Sequence, residues 1–258
     1  MAANTPQPAG ETFILQAENI VKRYPGAAGR ALDQLTLHIP EGQIFGLLGP
    51  NGAGKTTAVS ICSTLMKPTA GHLSVWGQNP MKNSRSIREM IGLAPQDIAL
   101  YGALSARENL AYFGRMYGLK GERLGQRVTA CLEAVGLANQ ADQPVGIFSG
   151  GMKRRANLAA AIVHEPRLLF LDEPTVGVDA QSRALIMDLL AGMKQGGTTM
   201  VYTTHYMEEA AALCDTVAIM DAGRVIAEGS PANLLERYPE AASLGELFLQ
   251  LTGKTLRD

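Results

Sequence analysis

Eight residues constrain this chain more than any other stretch: Gly49-Pro50-Asn51-Gly52-Ala53-Gly54-Lys55-Thr56, followed by Thr57. They lie between an apolar run, Ile44-Phe45-Gly46-Leu47-Leu48, and a helix-like segment that starts at Thr56. Glycines let the backbone bend tightly enough to aim successive N–H groups inward, and the positive end of the following helix dipole adds to their pull on an anion. The pattern Gly-x4-Gly-Lys-Thr therefore predicts a phosphate-cradling loop. Lys55 is placed to reach the outer phosphates of a nucleotide, and the Thr56 hydroxyl to ligate Mg2+.

At 258 residues the chain has room for one large domain or two modest ones, and a chain of that size buries roughly three quarters of its unfolded surface. A net charge of -1 leaves no basic footprint, so no nucleic-acid partner is expected. Cys62, Cys131 and Cys214 are odd in number, far apart and set among apolar neighbours, which reads as buried thiols of a reducing compartment. The near-apolar stretches, such as Leu158 to Val163, fall far short of the ~20 residues that cross a bilayer. Residues 1–10 are small and polar without the layout of a secretory signal, and read as a flexible tail.

Along the chain, Phe13 to Val21 and Leu32 to Ile39 predict strands joined by turns at Pro25-Gly26 and Pro40-Glu41-Gly42. Ser105-Ala106-Arg107-Glu108 is a helix capping box, with Leu110, Phe113 and Tyr117 on one face behind it. Leu124, Val128, Leu132 and Val135 stripe a second helix that Gly136 would terminate. Short apolar runs then alternate with helix-like segments: Leu168 to Leu171, Thr198 to Thr203 and Thr216 to Met220. That alternation predicts α/β winding with a parallel sheet covered on both faces, and makes residues 97–165 a helical insertion.

Asp172-Glu173 directly follows the run 168–171, at the strand end where open α/β sheets bind ligands. Asp172 suits the outer shell of Mg2+, which prefers hard oxygens and keeps water. Glu173 is then free to orient or deprotonate an attacking water. Read alone, Asp-Glu-Pro could also be a solvated loop start. Phe148-Ser149-Gly150-Gly151-Met152-Lys153-Arg154-Arg155 opens a further helix, with Ser149 as N-cap and the Gly150 and Gly151 amides exposed to an anion. On residue types alone, a capped helix suffices.

The order of these segments resembles the nucleotide-binding subunit of ATP-binding-cassette (ABC) transporters. Gly49 to Thr56 is similar to Walker A, Ser149 to Met152 to the signature sequence and Leu168 to Glu173 to Walker B, over about Phe13 to Leu235. The resemblance implies a P-loop NTPase α/β core with a mixed, mainly parallel sheet, an N-terminal antiparallel β subdomain and an inserted α-helical subdomain. In domain terms it implies a tail at 1–10, an ATPase domain at 11–235 and a helical tail at 236–258. It implies ATP and Mg2+ as ligands, with Lys55, Glu173, Gln96 and His205 in catalysis and Thr56, Gln96 and Asp172 around the metal. Gln96, after the strand Ile91 to Ala94, resembles the Q-loop glutamine, although a lone Gln is an ordinary loop residue. His205, after Met200 to Thr204, resembles the switch histidine that contacts the γ-phosphate. Asp179 resembles the D-loop acid that communicates across a dimer, and Tyr24 stands where an aromatic ring stacks on adenine or simply packs over its turn.

By the same resemblance, Ser149, Gly150 and Gly151 of one subunit close over ATP held by a second copy or a paralogous ATPase, and a separate membrane permease receives the motion at the cytoplasmic face. Met152 and Phe148 depart from the usual Gln and Leu of the signature. Ser-Gly-Gly-Met-Lys-Arg-Arg and Thr204 to Ala210 resemble the ABC-2 exporter branch. The alternative is a soluble ABC ATPase of a non-transport machine. The Lys153-Arg154-Arg155 run reads as a solvated helix face in preference to a lipid contact.

Overall fold

The computed structural model of the protein describes residues 12–80, 82 and 84–253. The tail expected at 1–10, and residues 254–258 of the expected carboxyl-terminal tail, lie outside the described residues.

Ahead of the phosphate loop, β1 (Phe13–Lys22) and β2 (Leu32–Pro40) pair antiparallel. The fully buried strand β3 (Ile44–Leu48) then feeds the loop, whose far end is the first turn of α1 (Lys55–Cys62). β4 (Ala70–Val75) returns to the free edge of β1, giving an antiparallel sheet of order β2-β1-β4. After α2 (Ser84–Glu89) comes β5 (Ile91–Ala94), and then three helices in succession: α3 (Ala106–Met116), α4 (Gly121–Ala134) and α5 (Gly150–Ile162). Their ends follow local chemistry. Ser105 and Glu108 complete both halves of the capping box of α3, Gly136 ends the α4 segment at φ +64°, and the Ser149 hydroxyl accepts from the Met152 N–H at the start of α5.

The chain then alternates through β6 (Leu168–Asp172), α6 (Ala180–Gln195), β7 (Thr199–Thr204), α7 (Met207–Leu213), β8 (Thr216–Asp221) and β9 (Arg224–Gly229), and closes with α8 (Pro231–Arg237) and α9 (Leu244–Thr252). The large sheet has the order β5-β6-β7-β3-β8-β9. Its pairs are parallel except β8–β9, so it is mixed and mainly parallel.

Alternate strand residues feed opposite layers. Ile44, Leu48, Leu169, Leu171 and Tyr202 join the core under α3–α5; Phe45, Leu47, Leu168, Phe170 and Val201 join the core shared with α1 and the antiparallel sheet. Each such fully buried large apolar side chain contributes about 1.5–3 kcal/mol. β4 and β9 escape sequence reading because β4 buries two of its six residues and β9 one of its six, so neither carries an apolar pattern long enough to mark a strand.

Candidate functional site

Register brings the chemistry together. β7 lies between β3 and β6, with Leu48 opposite Thr204 and Asp172 opposite Thr203. The loop after β3, the acids after β6 and His205 after β7 therefore emerge side by side, and Gln96 emerges from the neighbouring strand β5.

The loop itself is set by its glycines. Gly52 and Gly54 have φ of +83° and +103°, a left-handed backbone that other residues enter at a cost. A Cβ on Gly54 would stand 2.6 Å from the Ala31 carbonyl oxygen, and one on Gly49 would stand 2.6 Å from that of Met220. Residues of the loop from Pro50 to Thr57 line a cavity of about 350 Å3 with Ala31, Gln96 and Glu173. Gly49 and Ala53 hold the loop's own shape: Gly49 offers its carbonyl to Lys55, and buried Ala53 donates its N–H to the Pro50 carbonyl. Asn51 and Thr56 are exposed on it.

Glu173 is the hub of the acid cluster. Its Oε1 lies 3.4 Å from Lys55 Nζ, and its Oε2 lies 3.3 Å from His205 Nδ1 and accepts from the Gln96 amide at 3.5 Å. The His205 contact is close in distance but lacks hydrogen-bond alignment. Lys55 also donates to the carbonyls of Gly49 at 2.7 Å and Pro50 at 3.2 Å. Thr203, which the sequence reading passed over, organises both acids: its hydroxyl donates to Asp172 Oδ1 at 2.6 Å and accepts the Glu173 N–H at 3.0 Å. A threonine inside an apolar strand gives no sign of that role until the register is known.

Other expected residues stand apart from this cavity. Tyr24, exposed in an open cleft with Arg23 and residues 25–28, reaches the loop through its hydroxyl, 3.2 Å from Thr57 Oγ1. Ser149 and Gly150 are exposed at the tip of α5. Asp179 caps α6, accepting from the Ser182 N–H at 2.8 Å and hydroxyl at 3.0 Å; the bonds from Ser182 hold its carboxyl below the usual range. Gly151 packs on this cap, since a Cβ there would meet Ser182 Oγ at 2.6 Å. The two departures from the usual signature serve packing, with Phe148 buried and Met152 half-buried against the helical core.

One expectation is corrected. Two of the three residues at 153–155 are not on a solvated face: Arg154 turns inward to the carbonyls of Gln96, Pro95 and Val176, and Arg155 to those of Val135 and Gly136. Backbone carbonyls left over at loops and helix ends attract guanidinium forks. Cys62, Cys131 and Cys214 are free and buried.

The donor set fits Mg2+ better than a transition metal. Thr56, Gln96 and Asp172 offer hydroxyl, amide and carboxylate oxygens, and one or two carboxylates plus substrate phosphates are the usual holding set for that ion. Among the described residues no cluster of three His, Cys, Asp or Glu forms an all-protein metal cage, and none of their helices is long and apolar enough to cross a membrane. Larger clefts exist, one of about 690 Å3 between α4 and α6, but its charged groups are paired with one another or with carbonyls, so volume does not select the site.

Known proteins are similar to this chain in sequence and fold. The ABC transporter family profile matches residues 32–176. The chain is 43% identical over 239 residues to the linearmycin resistance ATP-binding protein LnrL of Bacillus subtilis (strain 168), covering 93% of this chain and 75% of that protein. It is 45% identical over 238 residues to the daunorubicin resistance ATP-binding protein DrrA3 of Streptomyces coeruleorubidus, covering 88% and 75%. Among solved structures, the ATP-binding cassette MJ0796, in a dimeric post-hydrolysis state bound to ADP and Pi, superposes with a TM-score of 0.77 at 28% identity, covering 84% of this chain and 98% of that one.

Proposed function

The chain belongs to the ABC transporter family as an ATP-binding subunit that hydrolyses ATP, and from that premise we propose that it powers an ABC-2 type exporter by closing as a head-to-tail pair around two ATP molecules. The observation that carries the reading is the convergence of Lys55, Gln96 and His205 on the Glu173 carboxylate beside the phosphate loop, all within 3.5 Å.

In this reading the loop amides and Lys55 bind the β- and γ-phosphates, and Tyr24 stacks on the base. Lys55 already divides its charge between loop carbonyls and Glu173 Oε1; a bound γ-phosphate competes for it and releases that oxygen toward water. Glu173 orients the water and takes its proton as the water oxygen bonds to the γ-phosphorus and the bond to the β–γ bridging oxygen breaks. His205 donates to the γ-phosphate and Gln96 aligns the water. Mg2+, when held by Thr56, Gln96 and Asp172, supplies neutralisation of charge on the phosphate oxygens.

The exposed Ser149-Gly150 corner does not line the cavity of its own subunit's loop, which supports a trans arrangement in which it and Asp179 serve the partner's nucleotide. The dimeric state of MJ0796 with ADP and Pi supports the same assembly, and the similarity to drug-resistance ATP-binding proteins supports the exporter reading, in which a separate permease receives the motion at the cytoplasmic face. Loss of the γ-phosphate contacts on hydrolysis then shifts the population to the open state.

The decisive experiment is Glu173→Gln. It keeps ATP affinity within a few-fold, lowers kcat by about 10²–10⁴ and accumulates ATP-dependent dimers by light scattering. Phosphate release at the wild-type rate would remove Glu173 from this role.

A further inference from the structure

The loop that carries Gln96 is gripped from behind by the helix that starts at the Ser149 corner. Arg154, in the second turn of α5, donates to the Gln96 carbonyl, to that of Pro95 at 3.5 Å and to that of Val176 at 3.5 Å. Asn157, buried and one turn further along, donates to the Pro95 carbonyl at 3.2 Å and accepts the Ala99 N–H at 3.1 Å. Two residues spaced i and i+3 share a helix face, so one face of α5 holds the backbone on both sides of Gln96. The same guanidinium reaches the segment just beyond Glu173. A planar fork offers five donors in fixed directions with which to bind several backbone segments at once, against three on an ammonium and two on an amide.

We propose that Arg154 is a positioning residue that straps the Gln96 loop to α5, so that a displacement of the Ser149 corner carries Gln96 with it and Gln96 stays aligned on Glu173. The proposal rests on the hydrolytic roles assigned above to Gln96 and Glu173. It gives a physical route by which closure of the corner over a partner's nucleotide is felt at the subunit's own glutamine: a rigid helix bonded to the loop at three backbone positions, residues 95, 96 and 99.

The test uses the full chain and two readouts. Arg154→Met should raise hydrogen exchange of the 96–99 amides about tenfold while leaving α3 unchanged. It should lower kcat about tenfold with KM for ATP shifted less than about twofold, and Arg154→Lys, which keeps the charge, should recover part of the loss. In a Gln96→Ala background, Arg154→Met should cost nothing more, because residues acting through one another are not additive. Unchanged exchange at 96–99, or losses that multiply in the double variant, overturn the strap. A failing premise shows separately: Gln96→Ala with unimpaired kcat removes the role of Gln96 before Arg154 is altered. If Arg154→Met does not fold, Arg154→Gln replaces it in the same cycle.

Discussion

Glu173 holds a backbone φ of +51°, a left-handed conformation that costs a non-glycine residue about 1–3 kcal/mol. Thr203 holds it there, accepting its N–H on both hydroxyl and carbonyl oxygen, and the carboxylate is thereby aimed at Lys55, Gln96 and His205. The loop glycines separate two effects that the sequence shows as one. Gly52 has positive φ and open space, whereas Gly54 has positive φ and a backbone carbonyl 2.6 Å from any added Cβ. Gly54→Ala should therefore destabilise the fold by more than Gly52→Ala, whose cost is conformational strain of about 1 kcal/mol, as read by urea unfolding. Gly54→Ala should also weaken ATP binding at least about tenfold in a nucleotide titration, since the cradle must shift to admit the methyl group.

Elements are pinned by residues outside any catalytic motif. His164, just past α5, is buried, stacks face to face on Tyr117 with ring centroids 3.6 Å apart, and places Nε2 2.9 Å from the Ile91 carbonyl of β5. Burial pushes its imidazole down to about 4 from 6.5. Its folded-state value is the depressed one, so its contribution is complete above pH 6.5 and is lost as pH falls through the window from about 6.5 to 4, where only the unfolded chain takes up the proton. Between pH 7 and 4 the wild type should lose about 3 kcal/mol more stability than His164→Phe, measured by urea unfolding at each pH. Helix starts, by contrast, were legible without any tertiary information: Ser105 with Glu108 and Ser149 both cap as their spacing predicts. A cap involves four consecutive residues, so no distant partner is needed to specify it.

At the scale of the molecule, the trans site makes a prediction that the dual position of Ser149 sharpens. Ser149 is both the proposed contact to a partner's nucleotide and the N-cap of α5, accepting from Met152 at 3.2 Å. Ser149→Ala removes the cap at a cost of about 1 kcal/mol but should still dimerise at saturating ATP in the Glu173→Gln background, because the Gly150 and Gly151 amides remain. Ser149→Arg loses the same cap and adds bulk at the seam, so it should stay monomeric by light scattering while binding one ATP per chain. Equal dimerisation of the two variants would disprove the composite site.

The chain's linear order alone was enough to specify the phosphate loop, the acid pair at a strand end, the helix caps and the alternation that makes a mainly parallel sheet. Each depends on backbone conformation or apolar spacing within a few neighbouring residues. The antiparallel strands β4 and β9 were invisible to it because β4 buries two of its six residues and β9 one, too few to leave a pattern. Thr203 under the two acids and Arg154 behind Gln96 were invisible for another reason: both act through partners 31 and 58 residues away. Strand register and helix docking bring those partners within hydrogen-bonding distance, and that proximity arises from packing the whole core, which no local stretch of sequence encodes.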